Sequence, residues 1–94
     1  MNISILGTGN MATGLAVIFA KAGHTVTLGS RDAEKAKAVA NTVGTGIAGA
    51  ELAEAAGKAD LVVLAVPYDA AAEAISAAGD LTGKTLVDIT NPMT

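Results

Sequence analysis

Gly7-Thr8-Gly9-Asn10-Met11-Ala12 fits the pattern G-x-G-x-x-A. It follows Ile3-Ser4-Ile5-Leu6 directly, a short run with β-branched residues that reads as a strand. It opens a segment, Asn10 to Ala22, in which Met11, Leu15, Ile18, Phe19 and Ala22 recur at the spacing of one helix face. A strand, a glycine turn and a helix form the context in which the pattern has physical content. Gly7 permits the tight turn out of the strand, and Gly9, having no side chain, lets the backbone approach a pyrophosphate. Ala12 is small enough for the helix to lie against the strands. The helix N-terminus then offers unpaired N–H groups and a partial positive charge to the phosphates. Gly14 is expected to add another small residue to this packed turn. The plain alternative is a glycine-rich turn that holds nothing, but the flanking strand, the helix and the strand after it all agree on a dinucleotide.

Outward from the loop, the chain alternates. Gly23 stops the first helix. Thr25-Val26-Thr27-Leu28 reads as a second strand ending at Gly29, and Asp32 to Val43 as a second helix through Ala36, Val39, Ala40 and Val43, with Gly44 as its stop. Gly46-Ile47-Ala48 suits a very short third strand. Ala50 to Ala56 suits a short helix stopped by Gly57. Leu61 to Val66 is apolar on both faces, as a central parallel strand covered on each side must be, and Pro67 ends its ladder. Asp69 can cap a helix running to about Ala78, and Thr85 to Thr90 is the last strand, broken by Asn91-Pro92. This β-α-β-α-β-α-β-α-β order predicts an α/β Rossmann-type doubly wound parallel sheet with strand order 3-2-1-4-5. Its switch point lies between strands one and four. The glycine loop and Val66-Pro67-Tyr68 both fall there, at the carboxyl ends of the strands where such sheets bind ligands. A complete dinucleotide fold usually has a sixth strand. Residues 1–94 are therefore expected to be a single, C-terminally truncated domain, the front part of a longer protein.

Composition narrows the function classes. Hydrophobic residues make up 51% and charged residues 16%, so this is not a disordered chain. Aromatics are 2%, Phe19 and Tyr68 alone, which leaves Val, Ile, Leu and Ala to build the core. There is no Cys, so disulfides, thiolate metal sites and a Cys nucleophile are excluded, and one His removes a His-rich metal site. A net charge of −3 with no basic stretch argues against a nucleic-acid surface, though not against one phosphorylated small molecule. No apolar run approaches a membrane span, and the N-terminus lacks the charged start of a signal peptide. The expectation is a soluble, cytoplasmic protein with no nucleic-acid or membrane partner and no metal.

The tip of the second strand separates the dinucleotides. An NAD-type site carries Asp or Glu about 20 residues past the loop to hold the ribose 2′-hydroxyl. Here the tip is Gly29-Ser30-Arg31. Ser30 can donate to a 2′-phosphate, Arg31 can pair with it and stack on adenine, and Lys35 one turn on can add a point charge. Equally, Ser30 can cap the second helix, and Arg31 and Lys35 can be solvated. Asp32 could mimic the missing ribose carboxylate, although its place suits the first turn of the helix. The balance of this tip predicts NADP(H).

Taken together, Gly7-Thr8-Gly9-Asn10-Met11, Gly29-Ser30-Arg31-Asp32-Ala33-Glu34-Lys35 and Ala65-Val66-Pro67-Tyr68 resemble the coenzyme F-420 (deazaflavin)-dependent NADP reductase family, and Asp88-Ile89-Thr90-Asn91-Pro92 fits its relatives. The resemblance spans the whole chain. It implies NADP(H) held by Thr8 to Met11, with the 2′-phosphate on Ser30, Arg31 and Lys35 and the nicotinamide near Val66 and Pro67. It implies hydride transfer between the nicotinamide and a deazaflavin or related acceptor as second substrate. It also implies a homodimer whose contacts and substrate site come mainly from a later part. Alternatives from the residues are a non-catalytic NADP(H)-binding module and the front half of a pyrroline-5-carboxylate reductase-like enzyme.

No catalytic residue is assigned, because hydride transfer between two rings depends on positioning more than on acid–base groups. His24 lies at the amino end of the sheet, away from the predicted site. Tyr68 fits a ring contact or a rim aromatic equally well. Asp88 lies within the last strand, where a buried carboxylate would need a partner. Asn91 is at the cofactor edge but more simply a turn residue before Pro92.

Overall fold

The computed structural model describes residues 1–44, 46–66, 71–79, 81 and 83–89, excluding the side chains of residues 71 and 72. The expectations placed on Pro67, Tyr68, Asp69, Asn91 and Pro92 lie outside those residues. The chain alternates strand and helix throughout: β1 Asn2–Leu6, α1 Asn10–Lys21, β2 Thr25–Ser30, α2 Ala33–Val43, β3 Ile47–Glu51, α3 Leu52–Lys58, β4 Leu61–Leu64, α4 Ala71–Ala78 and β5 Thr85–Asp88. All strand pairs are parallel, in the order β3-β2-β1-β4-β5. This is the doubly wound α/β sheet expected from the alternation, with the switch between β1 and β4.

Period-two alternation along the strands divides the core into two layers. Ile3, Ile5, Val26, Leu28, Ile47 and Val63 pack with Ala12 and Ala16 of α1 and Ala40 of α2. On the other face Leu6, Ala50, Val62 and Leu64 pack with Leu52, Ala55 and Ala56 of α3 and Ala74 and Ala78 of α4. Ser4 points into that second layer and is 1% exposed. Its hydroxyl donates to the Ala55 carbonyl at 2.6 Å, which removes the cost of burying it.

Alanine decides how α1 seats. Met11 and Ile18, expected on its buried face, are 56% and 61% exposed, and the buried positions are Ala12 and Ala16, flanked by Leu15 and Phe19. Spacing alone does not choose between adjacent apolar residues. Close approach to the sheet does, and it selects the small ones. Gly14 is likewise exposed, with nothing within 4 Å of an added Cβ, so it does not belong to the packed turn.

The third strand and helix also differ from expectation. β3 runs on to Glu51 and α3 begins at Leu52 rather than Ala50, passing through Gly57 to Lys58. Glu51 ends the strand by capping the helix: its carboxylate accepts from the N–H groups of Ala53 and Glu54, at 2.9 and 3.4 Å. Gly49 sits within the strand because α2 crosses directly over it. A Cβ there would lie 2.3 Å from the Ala36 carbonyl carbon. β2 extends through Gly29 to Ser30, and a Cβ at Gly29 would crowd Ala55 and Leu6 at 3.0 Å.

β4 stops at Leu64, two residues short of the expected Val66. Its partner β1 ends opposite, with Leu6 in register with Leu64. Beyond that pair the chain leaves the sheet at Gly7, and the Ala65 N–H donates to the Leu6 carbonyl at 2.9 Å. β5 is an edge strand, with Leu86 and Val87 each 41% exposed. Among the described residues no helix is long and apolar enough to cross a membrane, and no cluster of metal-ligating side chains occurs.

Candidate functional site

Where β1 turns out of the sheet, a cavity of about 460 Å³ opens at the carboxyl ends of the strands. Its described lining is Gly7, Thr8, Gly9, Gly29, Ser30, Arg31, Lys35, Leu52, Ala65, Val66 and Ala74. The volume falls within the range of small-molecule sites.

The floor is set by Gly7. Its φ is +137°, a conformation L side chains rarely adopt, and a Cβ would fall 2.2 Å from the Ala65 carbonyl oxygen. Its N–H donates to the Gly29 carbonyl at 2.8 Å, tying the start of the loop to β2. The two strand tips are thus fixed to each other by backbone.

Above the floor, α1 begins unsealed. Its N-cap is Gly9, in extended conformation, with no side-chain hydrogen bond to the first turn and no acidic residue there. An added Cβ at Gly9 would meet no atom within 4 Å, so the approach to the helix end is open. A helix end left this way has free N–H donors and the positive end of its dipole facing outward, a site for an anion.

The third wall is the tip of β2. Asp32 is the N-cap of α2: its Oδ1 accepts from the N–H groups of Glu34 and Lys35, at 3.0 and 3.3 Å. That carboxylate is committed to the helix and does not stand in for a ribose-binding acid. Ser30 is not the cap, but its hydroxyl oxygen accepts from the Asp32 N–H at 3.2 Å. Arg31 is ion-paired with Glu73 in the first turn of α4. No carboxylate lies among the described lining residues, which keep Ser30, Arg31 and Lys35 together at one end.

The structure therefore brings together Gly7, Thr8, Gly9, Ser30, Arg31, Lys35 and Val66 around one cavity. Asn10 and Met11 are in the first turn of α1, exposed and outside the lining. Pro67 lies outside the described residues. Four lining residues escaped the sequence reading: Gly29, Leu52, Ala65 and Ala74. Gly29 was legible as a strand end. Leu52 was hidden because glutamate is not among the common N-cap residues, so the start of α3 was misplaced. Ala74 enters from a distant part of the chain. His24 packs edge-to-face with Phe19, ring centroids 6.4 Å apart, and is not part of the cavity.

A family profile described as "NADP oxidoreductase coenzyme F420-dependent" matches residues 2–92. The F420-dependent NADP reductases of Methanothermobacter thermautotrophicus and Methanothermobacter marburgensis are 40% and 39% identical over 99% of this chain. The match covers 44% and 46% of those relatives, so the chain spans less than half the length of the curated proteins it resembles. The crystal structure of a candidate F420-dependent NADP reductase from Arthrobacter sp. FB24 superposes with a TM-score of 0.88 at 38% identity, covering 98% of this chain and 46% of that one. A reductive aminase from Aspergillus terreus, in complex with NADPH and ethyl-5-oxohexanoate, superposes with a TM-score of 0.73 at 35% identity, covering 98% and 32%. With a profile match across nearly every residue and relatives at about 40% identity, the chain belongs to the coenzyme F420-dependent NADP oxidoreductase family.

Proposed function

We propose that residues 1–94 form the NADP(H)-holding domain of an oxidoreductase that passes hydride between the nicotinamide and a deazaflavin or related acceptor. One observation carries this reading: the cavity joins an uncapped helix N-terminus to an end lined by Ser30, Arg31 and Lys35, with no acidic residue in its described lining. The first suits a pyrophosphate and the second a 2′-phosphate. NADPH, when bound, supplies the hydride. The chain's own part is to hold it. The Gly7-Thr8-Gly9 backbone would receive the pyrophosphate, with Asn10 and Met11 presenting the first-turn N–H groups. Ser30, Arg31 and Lys35 would fix the adenosine end. Ala65 and Val66 offer an apolar border beside the glycine loop, in keeping with a nicotinamide near Val66 and Pro67. Fixing the adenosine end and the central pyrophosphate restricts where the nicotinamide at the other end can lie, and that positioning is the domain's contribution to rate.

A reductive aminase complexed with NADPH is also similar over this same part. That likeness supports a role for this domain on the nicotinamide side, and we assign the acceptor from family membership. On the same grounds we take the whole protein to be a cytoplasmic homodimer. Calorimetric titration with NADPH and NADH tests the cofactor assignment. Binding of NADPH at least tenfold tighter is expected, and equal binding would overturn it. Oxidation of NADPH by the full-length protein with an oxidised deazaflavin tests the reaction.

A further inference from the structure

Arg31 and Glu73 stand on opposite banks of the cavity. Arg31 follows the tip of β2, and Glu73 is in the first turn of α4, beside the lining residue Ala74. In the sheet β2 and β4 flank β1 on either side, so the elements carrying the two residues approach from both sides of the switch point. The pair closes that gap, joining Arg31 Nη2 to Glu73 Oε2. The two side chains are 61% and 64% exposed. An ion pair that open to water is easily exchanged for a better partner.

A 2′-phosphate is that better partner. It carries more charge than a carboxylate and matches the guanidinium fork equally well. Glu73 and the phosphate would compete for the same N–H groups, and the two anions would repel each other if both stayed. A ribose bearing a free 2′-hydroxyl meets neither cost. We propose that Glu73 is a specificity-tuning residue that occupies Arg31 in the ligand-free protein and must be displaced by the 2′-phosphate, so that it selectively weakens binding of 2′-phosphorylated dinucleotides. The proposal rests on the reading of Ser30, Arg31 and Lys35 as the 2′-phosphate site. Its consequence is a cofactor held less tightly than the basic cluster alone allows, which favours exchange after each turnover.

Glu73→Gln tests it, since the side chain is exposed and the substitution keeps its shape. Affinities of wild type and variant are measured for adenosine 2′,5′-bisphosphate and for AMP, with thermal melting to verify the fold. The variant is expected to bind the bisphosphate about threefold to tenfold tighter, with AMP changed less than twofold. Added salt should narrow the gain. An unchanged or weaker affinity for the bisphosphate overturns the proposal, the weaker case meaning that Glu73 positions Arg31. An equal gain on both probes also overturns it. If wild type binds the two probes equally, the 2′-phosphate reading itself fails. If wild type prefers the bisphosphate and the variant matches it, only the role of Glu73 fails.

Discussion

The N-termini of α1 and α2 each follow a central strand of the same sheet, and they are finished in opposite ways. At α1 the cap is Gly9, which gives no side-chain hydrogen bond, and the first turn holds no acid. At α2 the carboxylate of Asp32 accepts from two first-turn N–H groups, and Glu34 adds negative charge to the same turn. α3 follows the second pattern, with Glu51 as its cap. A capped helix end is satisfied and has little to offer a ligand. An uncapped one costs stability unless something else completes it. The contrast assigns two kinds of recognition to the two strand tips. Beside β1 the receptor is backbone and suits any pyrophosphate. Beside β2 the backbone is occupied, so side chains must do the work, and side chains can discriminate.

The sharpest way to break this contrast is to give α1 the cap that α2 has. Gly9→Asp places a carboxylate where an added Cβ meets nothing. It should leave the melting temperature unchanged or raise stability by roughly a few tenths of a kcal/mol. NADPH and NADH binding should both fall at least about a hundredfold, because the new anion stands where the pyrophosphate would sit. Calorimetry and thermal melting together check it; retained binding would show that the open end of α1 is not the anion site.

Next in size is Arg31→Ala. Loss of a charge-assisted contact to phosphate should weaken NADPH by about tenfold to thirtyfold and leave NADH within about threefold. Titration of both cofactors reads the ratio directly. An unchanged ratio would move discrimination away from β2.

Asp32→Ala removes the cap of α2. Chemical denaturation should show a loss of about 1 kcal/mol, the usual worth of such a cap. The smallest effect belongs to α1's own interior. Gly14 is exposed and helical, with open space at its Cβ, so Gly14→Ala should stabilise the fold by about 0.5–1 kcal/mol through backbone entropy. A destabilised variant would mean that this surface is packed after all.

Much of the fold was legible in short-range signals. The glycine turn, the doubly apolar run at Leu61–Val66, of which Leu61–Leu64 is strand, and the alternation of periods led to the observed strand order. The misjudged places share a cause. Met11 and Ile18 look as apolar as Leu15 and Phe19, and only contact with the sheet separates them. The third strand was expected to end at Ala48, yet it continues through Gly49, where the backbone of α2 passes too close for any Cβ. Glu51 is an uncommon cap, so the border between β3 and α3 was drawn early.

By itself, the sequence determined the β1–loop–α1 unit, the parallel topology and the basic, carboxylate-free tip of β2. Each follows from neighbours in the chain: a glycine that must turn, a periodicity that must face inward, and a strand end with no acid. Only the tertiary structure decided what closes the cavity. Ala65 presses its carbonyl toward Gly7, Leu52 and Ala74 line the far wall, and Glu73 reaches Arg31. These residues come from distant parts of the chain, and their meeting depends on how two layers of helices seat on one sheet, which no local pattern encodes.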